Sequence, residues 1–78
     1  MKKVLEALAN AKREPSGDAW VEGRQLENET GLSPADINDA VERLCEEGSA
    51  ESLSTMGTAP FKFARVQITA KGRHTLQP

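Results

Sequence analysis

The side chains of this chain most able to act on something outside it are cations. Lys62, Arg65, Lys71 and Arg73 fall within residues 52–78, a stretch that contains no acid. They suit phosphate oxygens, because neutralising phosphates with Lys and Arg supplies most sequence-independent affinity for nucleic acid. Lys12 and Arg13 extend the same footprint from the N-terminal side. Against them, residues 14–51 carry a net charge of −9 within a total of −2 over 78 residues. That balance excludes a uniformly basic nucleic-acid coat. Metal and redox chemistry have almost nothing to be built from. Cys45 is the single cysteine and His74 the single histidine, so an internal disulfide, a multi-cysteine zinc site and a His-based triad are all excluded. No Gly-rich phosphate loop and no nucleophile–base pairing appears, so the chain reads as a binding protein without cofactor, not an enzyme.

Positioning these residues needs elements. With 37% hydrophobic and 28% charged residues the composition is that of a folded globule, which excludes wholesale disorder. Val4, Leu5 and Leu8 make one stripe of an amphipathic helix expected from Lys2 to Arg13. Pro15 and Gly17 break it. Ala19-Trp20-Val21 reads as a brief strand with Trp20 in the core. Arg24 to Thr30 is a weak helix anchored by Leu26, and Gly31 suits a left-handed helix end.

The strongest local signal follows. Ser33 is a good N-cap, Pro34 fits the first helical position, and Asp36 completes a capping box with Asp in place of Glu. Ile37, Ala40, Val41 and Leu44 then hold helical spacing through Glu47, until Gly48 ends the helix. Residues 50–54 form a strand, 55–60 a turn and Phe61 to Ile68 a second strand. In that strand Phe61 and Phe63 have one parity, and Ala64, Val66 and Ile68 the other. It must therefore change its buried face or carry a bulge near Ala64. Both phenylalanines are expected in the core. Thr69 caps a last helix from Ala70 to Leu76. Cys45 reads as a core-flanking side chain.

Two helices joined by a Gly-containing turn and followed by a hairpin make a winged helix-turn-helix. The fold class is thus α+β: a three-helix core, a two- to three-stranded antiparallel wing and a short C-terminal helix, in one domain spanning 1–78. The stretch Leu26-Glu27-Asn28-Glu29-Thr30-Gly31-Leu32-Ser33, followed by Ile37, Val41 and Leu44, resembles the helix-turn-helix of bacterial and archaeal regulators. Ile68-Thr69-Ala70-Lys71-Gly72-Arg73 resembles the segment closing the wing in MarR- and PadR-like domains. Glu27 departs from that pattern, standing where such motifs place a small residue. The resemblance implies DNA binding in transcriptional regulation, with residues 33–47 at the major groove and the hairpin on the backbone.

The expected contact set is Ser33, Asn38, Arg43, Lys62, Arg65, Lys71 and Arg73. Asn38 is the residue suited to adenine, and Arg43 to phosphate. The face of the 33–47 helix opposite its core, however, consists of Ala35, Asp39, Glu42 and Glu46, with no cation. Double-stranded DNA is therefore the first expected partner, weakened by that face. The alternative is a protein-interaction module that presents the acidic face and an apolar wing to a basic partner. No apolar run approaches the roughly 20 residues of a membrane span, and no signal-peptide pattern is present, so a cytoplasmic domain is expected, with a homodimer left open.

Overall fold

The 33–47 segment forms its helix for the reasons its residues suggest. In a computed structural model, which describes residues 2–11, 15, 17, 19–53 and 60–76, helix α3 runs Pro34–Glu46, with Pro34 in the first turn. The Ser33 hydroxyl accepts the Asp36 N–H at 3.2 Å, satisfying one of the amide donors that a helix start leaves unpaired. Ile37, Ala40, Val41 and Leu44 are buried. Before α3, helix α2 (Gly23–Thr30) ends on Gly31, whose φ of 73° closes the turn in the left-handed region that favours glycine.

Helix α1 is Lys2–Ala9, shorter than the expected Lys2–Arg13. The Ala11 N–H already bonds the Leu8 carbonyl at 3.3 Å, the tighter spacing of an unwinding end. After Leu8 the apolar stripe has no large residue to reward another turn, and a helix this short depends on packing. Lys12 and Arg13 lie outside the described residues, as do 54–59, most of the expected turn.

Strands β1 (Ala50–Leu53) and β2 (Arg65–Ile68) pair antiparallel, from Ala50↔Ile68 to Leu53↔Arg65. β2 is four residues long, not the eight expected from Phe61. The parity conflict is resolved by shortening the strand. Residues 61–64 are irregular, which lets Phe63 turn into the core ahead of Val66 and Ile68. Phe61 is half-buried, tilted at 52° to Phe63 with ring centroids 5.9 Å apart. Its ring lies over Gly23, where an added Cβ would come 2.7 Å from Cδ2, so glycine makes room for the aromatic.

The brief strand is a single bridge. Val21 pairs with Val66 on the side of β2 away from β1, with N–H···O bonds of 2.8 and 2.9 Å. Trp20, expected in the core, is not part of it. Ala19 and Val21 take the inward positions, and alternation leaves Trp20 half-buried on the other side. Helix α4 (Ala70–Leu76) begins with the Thr69 hydroxyl accepting the Gly72 N–H at 3.1 Å.

Among the described residues the architecture is α+β, four helices with a two-stranded antiparallel sheet. One core joins α1, α2, α3 and the sheet. The radius of gyration, 11.3 Å, matches the roughly 11.5 Å of a compact chain of this length. No helix among these residues is long and apolar enough to cross a membrane.

Candidate interaction face

Helix α3 turns its stripe of Ile37, Val41 and Leu44 inward, and its other faces carry charge. Asp36, Asp39, Glu42, Glu46 and, just past its end, Glu47 are all exposed. Arg43 is the only cation of the helix and is exposed too. It shares a shallow depression with Leu32, Asp36, Asp39 and Ala40. Five carboxylates against one guanidinium leave this surface strongly negative.

Asn38 is not on that surface. Expected as an exposed reader of adenine, it is 9% exposed. Its Nδ2 donates to the Pro60 carbonyl at 3.0 Å, and its Oδ1 accepts the Lys62 N–H at 2.9 Å. One N–H and one oxygen lone pair of the amide are thus used within the chain, and the side chain is buried. The residue instead fastens the segment before β2 onto α3. Ser33 likewise spends its hydroxyl on the helix start.

The four C-terminal cations do not gather in one place. Lys62 and Arg65 are exposed at the end of the sheet where Leu53 faces Arg65. Lys71 and Arg73 follow its other end, where Ala50 faces Ile68. Three residues of strand separate these ends, about 10 Å. Lys71 is also engaged within the chain, since its Nζ donates to the Glu47 carbonyl, a cation at the C-terminus of α3 where the helix dipole favours it. Arg73 is half-buried. Lys62 and Arg65 are the two of these four cations that are exposed without a side-chain hydrogen bond to the chain among the described residues.

Between α3, Ser52 of β1 and residues 62–63 lies a groove of about 460 Å³. Val41, Cys45 and Phe63 form its floor, Glu42 and Glu46 one wall, and Ser52 and Lys62 the other. The half-buried Cys45 holds its thiol 3.6 Å from the Ser52 hydroxyl. The groove escaped the sequence reading because its walls come from segments joined only by pairing and by Asn38. No group of three or more potential metal ligands occurs among the described residues. No family model matches the chain, and neither a curated protein nor a solved structure does.

Proposed function

We propose that the chain is a winged helix-turn-helix module that docks a basic protein partner on α3. The winged-helix reading is supported by the order α2, Gly31 turn, α3, β1, β2, and by Val21 adding a third backbone segment to the sheet. The observation that carries the choice of partner is the exposed surface of α3, with five carboxylates and one arginine. A carboxylate about 6 Å from a phosphate costs about 0.7 kcal/mol at the dielectric of water. A surplus of four such charges costs about 3 kcal/mol before salt screening, roughly a hundredfold in affinity. Lys62 and Arg65 return about half of that, and Asn38 contributes no base contact. The same surface attracts a basic partner.

Duplex DNA is the second reading, favoured by the exposure of Lys62 and Arg65 at one end of the hairpin. In it the hairpin holds phosphates in a regulator of transcription. Titration with duplex DNA at low salt separates the two. The expected result is negligible binding by the native chain, and measurable binding once Asp39, Glu42 and Glu46 are all replaced by Lys. Binding by the native chain that is lost in the Lys62→Ala/Arg65→Ala variant, with a log–log salt slope near −2 for two phosphates, would sink the protein-partner reading.

A further inference from the structure

From the groove beside α3 we infer the chemistry of the partner segment: one large apolar side chain seated in the groove, flanked by two arginines or lysines. This rests on the protein-docking reading and narrows it to one place. Three observations carry it. The floor, made by Val41, Cys45 and Phe63, is apolar, and the space of about 460 Å³ admits one or two large side chains. Glu42 and Glu46 stand on one wall, one helical turn apart, so their carboxylates are spaced about 6 Å along the axis. Two cations one turn apart on a partner helix match that spacing. Finally, the groove is formed in advance, because Asn38 ties Pro60 and Lys62 to α3 at 3.0 and 2.9 Å. A preorganised site spends less of its binding energy on ordering itself.

Lys62 lines the same groove, and its single positive charge offsets one of the two carboxylate charges. The partner's cations are accordingly placed toward α3, where the exposed Asp39, one turn before Glu42 and Arg43, adds to the negative field. The assignment separates the groove from a diffuse electrostatic surface. Exposed ion pairs are worth little individually, so the apolar side chain in the groove supplies the specific part of the affinity and the cations set its orientation.

The probe is a dye-labelled helical peptide with two arginines one turn apart and a tryptophan on the same face. Two control peptides replace the arginines by glutamates, or the tryptophan by serine. Cys45 is the only cysteine of the chain and lies on the groove floor, so its rate of alkylation by iodoacetamide reports occupancy directly. The Arg/Trp peptide is expected to bind by anisotropy and to slow alkylation at least fivefold, with neither control doing so. Glu42→Gln/Glu46→Gln should weaken binding about tenfold. Glu22→Gln/Glu51→Gln, which removes the same charge from exposed positions elsewhere, should leave it unchanged, and Lys62→Ala should leave it equal or tighter. Failure of the peptide to bind, or binding that leaves Cys45 equally reactive, overturns the groove assignment. So does equal binding of the serine peptide. Binding lost on neutralising Asp36 and Asp39 but not Glu42 and Glu46 overturns the groove while leaving α3 as a docking face. Displacement of the peptide by duplex DNA at low salt, with weaker DNA binding in Lys62→Ala, overturns both.

Discussion

Asn38 shows how one side chain sets the shape of the face around it. Its amide links α3 to residues 60–62, using a donor and an acceptor at once. Truncation to alanine leaves the Pro60 carbonyl and the Lys62 amide without their partners in a part-buried place. Leaving such groups unsatisfied costs about 1–3 kcal/mol. Asn38→Ala is expected to lower stability by about 2 kcal/mol in urea denaturation and to raise amide exchange at Lys62 more than tenfold. An unchanged midpoint together with unchanged exchange would mean that the segment is held by Phe63 alone. Asn38 looked exposed because it adjoins the apolar stripe without belonging to it. Its burial depends on residues 22 and 24 positions away, a distance at which periodicity carries no information.

Among elements, α4 is seated by contacts too close for any larger residue. Thr69 both caps α4 and donates its hydroxyl to the Gly48 carbonyl at 2.7 Å, binding the start of α4 to the end of α3. At Gly72, an added Cβ would meet the Ser49 carbonyl oxygen and come 2.7 Å from Ile68 Cγ1. Alanine in place of a mid-helix glycine ordinarily stabilises by about 1 kcal/mol. Here the backbone of Ser49 cannot yield easily, and overpacking costs about 1–3 kcal/mol. Gly72→Ala is therefore expected to lower the melting temperature despite its better helix propensity. A rise in Tm would show that α4 can move away from the sheet without loss.

The whole molecule is small, and its core is correspondingly thin. At about 0.05–0.15 kcal/mol per residue, a chain of this size has about 4–12 kcal/mol of stability. Leu44 is buried where α3 meets the rest of the core, and truncating a buried leucine costs about 2–5 kcal/mol. Leu44→Ala should therefore consume much of the total. The expected outcome is loss of the cooperative thermal transition above 37 °C, and a transition kept near the native temperature would mean that the site collapses around the gap. Charge is also organised at this scale. The acidic block between residues 14 and 51 includes α2 and α3, whereas the basic C-terminal stretch is divided by the fold into two pairs. A chain nearly neutral overall thus presents one strongly negative helix.

Local physics was written in the sequence by itself. Ser33, Pro34 and the stripe Ile37, Ala40, Val41, Leu44 define α3 within one segment, Gly31 closes α2 ahead of it and Gly48 follows its end, both at positive φ. Each of these signals depends on neighbours within a few residues, and capping and helical spacing act over that range. The conflict between Phe63 and Val66 was legible as a conflict, since alternation admits one parity per strand. Its resolution by a shortened β2 was not. Which way Trp20 faces, where Asn38 spends its amide, how Lys62 parts from Lys71, and the groove over Cys45 were decided only by tertiary structure. They depend on strand pairing across 12 to 18 residues and on contacts as distant as Val21 with Val66, which take effect only when the core has closed.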